Sequence, residues 1–485
     1  MGESAGPVFV GRQREFALLD EEFSRVRESG SGRLLLISGR RQVGKSRLLT
    51  EWIDRQGAPA VFFTASRRTP AREVELFARD VADSQLPSAP AFAAGKPGDW
   101  DDALALLAST LDRGAAAVVV LDEFPYLVAG DSSVEATLQK RWDRSLSRLP
   151  VLLVLVGSDL GMMASLAAYD RPLYGRPSRE LVVDPLNPAD IAALLGLPAA
   201  DALDAYLVVG GFPGVVTSWP PGTALPSFVE RSLADPTSPL VVIGERSVAT
   251  EFPADAQARR VLDVIGAGQR GFRTIADRAG VPDPSLKRAL DLLVSKGVIT
   301  VEEPVSIRPA PKQRRYRVSD PYLRFWLRFV GPQLPNLQRG RARLVLRRMW
   351  EGWDTYRGIA IEPLAREAVE RLLPDPRFGD ALLIGGWWAR AHEHEVDLVG
   401  IADDRQPARV ELVGSIKWRD RTTFSDADAR RLALGAAAVP GVDASTRHVG
   451  ISRAGFATTG LDAQLGPRDL LTAWTIDPQP ALDPP

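Results

Sequence analysis

Leu34-Leu35-Leu36-Ile37-Ser38-Gly39-Arg40-Arg41-Gln42-Val43-Gly44-Lys45-Ser46 decides the fold of the first third of this 485-residue chain. The four apolar residues read as a buried strand, Gly39 to Ser46 spell G-x-x-x-x-G-K-S, and Arg47 to Ile53 continue as a helix. Strand, glycine-rich turn and helix in that order make a phosphate-binding loop. Its backbone N–H groups wrap a phosphate, and the helix N-terminus adds a favourable dipole. Lys45 is then expected to reach the β- and γ-phosphates and Ser46 to hold Mg²⁺, with ATP as the nucleotide. The expected cradle is Gly39, Arg40, Arg41, Gln42, Val43, Gly44, Lys45, Ser46 and Arg47.

A partner motif follows. Val118 to Leu121 lead into Asp122-Glu123. An acid at the end of a buried strand is the Mg²⁺-side partner of such a loop. Asp122 is expected in the Mg²⁺ shell, and Glu123 as the general base that polarises the attacking water. The strand at Ala60 to Phe63 lies between the motifs in sequence, leaving room for an extra strand between them in the sheet. Val151 to Val156 end in Gly157-Ser158-Asp159, which makes Ser158 a candidate γ-phosphate sensor. Phe9-Val10-Gly11-Arg12, before the first strand, is a candidate adenine-packing segment. A further strand is expected at Leu181 to Val183, with helices at Ala103 to Leu111 and Val134 to Leu146 and a Pro/Gly-rich loop from Ser88 to Trp100. Strands alternating with helices imply an α/β fold, a parallel sheet covered on both faces.

Composition bounds the rest. The length predicts two to four domains. Cysteine is absent, which excludes disulfides, thiolate metal sites and cysteine nucleophiles and suits a reducing cytoplasm. No apolar run approaches the ~20 residues that span a bilayer, and the N-terminus has no signal-peptide core. A cytoplasmic protein with no membrane contact is expected. Net charge is −1, from 60 Lys+Arg against 61 Asp+Glu, and only seven of the cations are lysines. Lys45 and Lys417 stand in motif-like settings where a compact ammonium is not interchangeable with guanidinium.

The expected organisation is a nucleotide-binding core at 1–187, a helical lid at 188–253, a winged helix at 254–320, a basic helical linker at 321–350, a mixed α/β domain at 351–475 and a disordered tail at 476–485. The winged helix is read as helices at Ala256 to Ile265, Phe272 to Ala279 and Pro284 to Lys296, then wing strands at Val298 to Val301 and Arg314 to Val318. Residues 254–320 carry 13 Lys/Arg against 8 Asp/Glu, and 321–350 carry 7 Arg and no acid. Lys287, Arg288 and Lys296 near the third helix, with Lys312, Arg314, Arg315 and Arg317 by the wing, suggest contact with double-stranded DNA. Docking against a protein partner or a second copy is the competing reading. The aromatics of Tyr316 to Val330 have the spacing of core packing. In the last domain a helix is expected at Pro363 to Leu373, with strands at Ala381 to Ile384, Val396 to Ile401 and Val410 to Trp418.

Several segments together resemble the archaeal-type ATPases of the STAND class, relatives of the AAA ATPases. They are Phe9 to Leu19, Gly39 to Ser46, Val118 to Leu127, Leu155 to Ser158, Pro172 to Arg176 and Gly210 to Gly214. The resemblance implies an ATP switch with slow hydrolysis, makes Arg176 a candidate γ-phosphate or partner arginine, and puts Pro213 in a lid motif that contacts nucleotide. Gly358 to Leu373, Ile384 to Trp388, His394 to Ile401 and Val413 to Trp418 resemble the restriction-endonuclease-like domain that follows these ATPases. That resemblance makes Asp397 and Glu362 candidate Mg²⁺ ligands and Lys417 the water-activating lysine. Ser415 stands where a second acid is expected. Glu411, four residues earlier and about 13 Å along a strand, cannot replace it without a register change. A degenerate domain is therefore expected. His392 and His394, with Glu393 and Glu395, read either as a metal cluster or as a solvated hairpin, the latter favoured. The expected function is a Mg²⁺-dependent ATPase switch acting on DNA. The alternative is a nucleotide-gated scaffold or transcription regulator with little hydrolysis.

Overall fold

A computed structural model describes residues 9, 11–87, 89–251, 257–306, 313–389, 394–402 and 409–476. The chain forms two compact units, 1–185 and 186–485.

The first unit is built on five strands, β1 (Arg33–Ser38), β2 (Ala60–Thr64), β3 (Ala117–Asp122), β4 (Val151–Gly157) and β5 (Pro177–Val182). They pair in parallel in the order β2-β3-β4-β1-β5. This is the parallel sheet of a P-loop NTPase with an extra strand between the phosphate-loop strand and the acidic strand. That extra strand is β4; the strand at Ala60 to Phe63 lies at the sheet edge. Side chains alternate as the pleat requires. Leu34, Leu36, Val119, Leu121, Leu153 and Leu155 enter one core with the helices Pro70–Ala82, Trp100–Thr110 and Val134–Arg144. Leu35, Ile37, Val118, Val120, Leu152 and Val154 enter another with Gln13–Ser29 and Lys45–Gln56. Burial on both faces explains the uninterrupted apolar runs. The segment read as a loop before Trp100 contains a short helix, Pro90–Gly95, opened by its proline; Ser88 lies outside the described residues.

The second unit begins with helices Pro188–Leu195, Ala199–Val209, Leu225–Ala234 and Pro239–Glu251. The segment read as a lid thus groups with the C-terminal part of the chain. Helices Gln257–Gly266, Phe272–Ala279 and Asp283–Ser295 follow, with an antiparallel hairpin of β6 (Ile299–Glu302) and β7 (Arg315–Val318). Residues 254–256 and Lys312 lie outside the described residues, as does the tail from 477. The stretch read as a linker is not separate: Ala342–Arg371 is one 30-residue helix that runs through the expected boundary at 350/351. Pro363 lies inside it, not at its start. Proline cannot donate to the Ile359 carbonyl one turn earlier, and the neighbouring Ala360 carbonyl accepts from Arg324 at 3.2 Å. The C-terminal mixed sheet is built of β8 (Leu383–Trp388), β9 (Glu395–Ile401), β10 (Val410–Lys417), β11 (Arg447–Ser452) and β12 (Ala463–Leu465), ordered β12-β11-β10-β9-β8.

One apolar core runs from Leu186 to Trp474. Tyr322, Phe325, Trp326 and Phe329 are buried in it, as their spacing predicts. Trp326 donates to the Val241 carbonyl at 2.8 Å, and Tyr322 accepts from Gly244 N at 2.7 Å. A Cβ on Gly244 would lie 2.4 Å from the Trp326 ring. Among the described residues no single helix is long and apolar enough to cross a membrane.

Gly244→Ala should destabilise the protein by about 1–3 kcal/mol through overpacking, although alanine favours helix by about 1 kcal/mol. Urea unfolding decides it: a variant as stable as the parent means the indole does not sit against this turn.

Candidate functional site at the sheet edge

Parallel register brings the ends of β1, β3 and β4 to one edge, where ligands bind in open α/β sheets. Ser38 is level with Gly157, and Leu121 with Leu155. The loop from Gly39 to Ser46 leaves that edge. Gln42 and Gly44 adopt φ of 65° and 95°, turning successive amides inward. Gly39 has no room for a side chain, since a Cβ would meet the Val183 carbonyl oxygen at 2.5 Å. Lys45 is buried and donates to the carbonyls of Gly39 and Arg40 at 2.6 and 3.0 Å. Burial lowers its pKa, against the pull of Glu123 and Asp122.

Ser46 Oγ donates to Asp122 Oδ2 at 2.7 Å across the intervening strand. Asp122 is buried, which raises its pKa, while the Ser46 bond acts the other way. A hydroxyl and a carboxylate converging beside a phosphate loop are hard oxygen donors of the kind Mg²⁺ takes. Glu123 follows at φ 54°, a left-handed conformation for a non-glycine residue. Its N–H donates to Asp122 Oδ1 at 3.0 Å, and its carboxylate accepts from Ser158 Oγ at 2.8 Å. Strain held at a site edge is a functional marker. Arg12, at φ 68°, donates to the Val43 carbonyl at 2.9 Å and pairs with Glu15. Gly11 and Arg12 therefore adjoin the loop, whereas Phe9 packs against Phe16 and Val10 lies outside the described residues.

Arg176 does not join this group. It precedes β5, whose first residue, Pro177, is level with Leu34. That is the opposite edge of the sheet, about 16 Å from Gly39 at strand rise. Its guanidinium pairs with Asp143 at 2.8 Å and donates to the carbonyls of Pro172 and Tyr174. Loop spacing alone could not reveal which edge it occupied. Pro213 opens a one-turn helix, Pro213–Val216, in the second unit. Sequence reasoning missed Tyr126 and Arg67. Tyr126 accepts a hydrogen bond from Arg41, and the Arg67 guanidinium lies 4.0 Å over its ring. Arg67 has φ 58° in the turn after β2, where Glu73 accepts from Ser66 and Arg68 amides. The only signal was a polar Ser-Arg-Arg run closing an apolar strand.

A second group forms in the C-terminal sheet. Asp397 Oδ2 accepts from Ser415 Oγ at 2.9 Å and Ile416 N at 2.8 Å. Lys417 Nζ donates to Ser415 Oγ at 2.6 Å and stands 3.7 Å from Asp397. Glu362 pairs with Arg366 at 3.3 Å, and burial raises its pKa to about 7. Glu411 is held by Arg409 at the other end of β10. Asp397 carries the Lys417 ammonium and Glu362 is paired with Arg366, so each carboxylate already faces a cation and this donor set does not fit a divalent cation. Among the described residues no three His, Cys, Asp or Glu are grouped to hold a metal. His392 and Glu393 lie outside the described residues; Glu395 pairs with Arg315.

Residues 9–218 match a family described as an ATPase domain predominantly from Archaea. Residues 326–432 match a family of archaeal and bacterial proteins of unknown function. An uncharacterized Methanocaldococcus jannaschii protein, MJECL04, is 22% identical over 429 residues, covering 88% of this chain and 90% of that one. Two solved structures are similar. The Walker-type ATPase PABY2304 of Pyrococcus abyssi is 19% identical with a TM-score of 0.48, covering 66% of this chain and 96% of that one. The Aeropyrum pernix ORC2 protein, in ADPNP–ADP complexes, is 15% identical with a TM-score of 0.44, covering 72% and 97%.

The Glu362 carboxyl titrates near 7 in the fold against an ordinary value of 4.5. The folded state binds this proton more tightly, so its contribution is complete below pH 4.5 and is lost as pH rises through 7, at most about 3 kcal/mol. Glu362→Gln should therefore gain stability relative to the parent at pH 8 and lose most of that gain at pH 5. Equal differences at both pH values in chemical unfolding would contradict the burial of this group.

Proposed function

We propose that the first unit binds ATP with Mg²⁺ and hydrolyses it, and that the appended segments respond to the nucleotide state on DNA. The observation that carries the reading is the convergence of Lys45, Ser46, Asp122, Glu123 and Ser158 at one sheet edge. In this reading the loop amides and Lys45 bind the phosphates, and Ser46 and Asp122 hold Mg²⁺. Bound there, Mg²⁺ would supply charge neutralisation for the phosphates. Glu123 takes the proton of the attacking water as the γ-phosphoryl group leaves ADP, and Ser158 keeps that carboxylate turned toward the edge. The match of 9–218 to an archaeal ATPase domain supports this assignment.

Three helices followed by the β6–β7 hairpin support the winged-helix reading of 257–318. The last sheet with Asp397 and Lys417 on neighbouring strands supports a nuclease-like ancestry. The Ser415 hydroxyl and the Lys417 ammonium around Asp397 support a domain without cleavage activity. Arg176 has no part in this mechanism. A nucleotide-gated scaffold with little hydrolysis is the second reading, favoured by the wing: Arg314, Arg315 and Arg317 all face carboxylates of the same unit.

Lys45→Ala should abolish ATP binding in calorimetry. Glu123→Gln should bind ATP with affinity close to that of the parent and lose phosphate release by about 10²-fold or more. Undiminished turnover in Glu123→Gln removes it as the base. Absent turnover in the parent, with binding intact, selects the scaffold. No metal-dependent cleavage of duplex DNA is expected; cleavage that Asp397→Ala abolishes would restore the nuclease.

A further inference from the structure

Among the described residues of the second unit, a run of unneutralised charge lies where helix Leu334–Gln338 turns into helix Ala342–Arg371. Residues 339–348 contain Arg339, Arg341, Arg343, Arg347 and Arg348 and no acid, and all five are exposed. Arg347 faces Glu351 only at 4.0 Å, and Arg348 reaches Gln333 Oε1 at 3.4 Å. Among the described residues Arg339, Arg341 and Arg343 make no ion pair or side-chain hydrogen bond. At about 100° per residue, Arg343, Arg347 and Arg348 fan over the arc opposite Val345, Met349 and Trp353, which are buried.

The hairpin is the opposite case. Arg315 pairs with Glu395 and lies 4.2 Å over the Trp388 ring. Arg317 pairs with Glu302 at 2.7 Å and Arg314 with Glu303 at 2.6 Å. The segment after β6 adds to β8 through Val305 N and the Gly386 carbonyl at 2.8 Å. The Arg315 and Val305 contacts tie the wing to the C-terminal sheet, and the Arg314 and Arg317 pairs are spent within the hairpin itself.

We infer that the arginine-lined turn 339–348, and not the β6–β7 hairpin, grips the phosphate backbone of duplex DNA. The inference rests on the DNA reading above and names the surface responsible. Guanidinium forks suit phosphate oxygens bidentately. Like charges within two helical turns repel, and a polyanion relieves that repulsion. The apolar face of the helix is committed to the core, so it cannot lie in a bilayer surface, which needs an exposed apolar face. No large apolar side chain is exposed in the turn to anchor a protein partner. Phosphate contacts of this kind carry little sequence information.

The test is fluorescence anisotropy of the full chain with two unrelated random-sequence duplexes, titrated between about 50 and about 200 mM salt. Arg339→Gln/Arg341→Gln/Arg343→Gln should bind more weakly on both duplexes, with the slope of log K against log salt shallower by about 3. The corresponding triple Lys variant should keep the slope, and unchanged thermal melting excludes unfolding as the cause. If the parent binds DNA and the Gln variant matches it, this inference falls while the DNA reading stands. If the parent binds neither duplex at low salt, the DNA reading falls and takes this surface with it. Binding to phosphatidylserine vesicles in place of duplex, lost in the Gln variant, would overturn DNA as the occupant.

Discussion

The chemistry of the first unit depends on one constraint, the parallel register that ends β1, β3 and β4 together. Ser46 and Asp122 are 76 residues apart, on elements that do not touch in the sheet, yet their oxygens stand 2.7 Å apart. Burial of both faces fixes that register, because a one-residue slip would exchange the two cores. The same constraint explains the strain at Glu123. An extended Glu123 would continue β3 past the edge. The left-handed turn redirects the chain into the helix Phe124–Gly130 and leaves the carboxylate beside Ser158. A conformation of this kind costs on the order of 1–3 kcal/mol and persists only where surroundings over-determine it. Here the Asp122 bond to the Glu123 amide and the buried Phe124 hold it.

Sequence legibility follows how local the determining physics is. The strands β1 to β4 are built on apolar runs, so they were readable almost to the residue, whereas β5, Pro177–Val182, is half polar and only its end near Leu181 was readable. Strand order was not readable, because register between distant strands leaves no local trace. The identity of the strand between the two motifs and the edge occupied by Arg176 both depend on it. The phosphate loop was legible because one stretch carries the whole motif. Arg67 and Tyr126 were not, because their contact joins a turn after β2 to the helix after β3, whose proximity exists only through the sheet.

The second unit shows where segmentation by composition breaks down. Seven arginines without an acid suggest a linker, yet the helix Ala342–Arg371 runs from that stretch through the expected boundary at 350/351 without a break. Its buried residues, from Val345 to Val369, belong to one core shared with the helices near 200 and the strands near 400. Asp204 gives the polar counterpart. It is buried and holds Arg357 at 3.2 Å, Arg453 at 3.1 Å and Trp418 Nε1 at 2.7 Å, drawing together three distant segments. Removing one partner of such a group leaves buried charge uncompensated. The unit therefore behaves as one folded body, and a charge-based boundary inside it has no structural meaning.

Net charge misleads for the same reason. A value of −1 describes the sum, whereas a ligand meets only the charges left unpaired at the surface. Around β6 to β9, burial raises the carboxyl of Glu302 but Arg317 and Arg366 outweigh it, and Arg315 does the same for Glu395. Those acids are held ionised by arginines that the sequence alone would assign to a nucleic acid. The field there is short-ranged and internal. Where the chain turns at Gly340, no acid is available within the same stretch, so the arginine field extends into solvent and is limited only by salt. The distinction between an arginine that builds the fold and one that reaches outward lies in the neighbouring carboxylates, and those neighbours are a property of the tertiary structure.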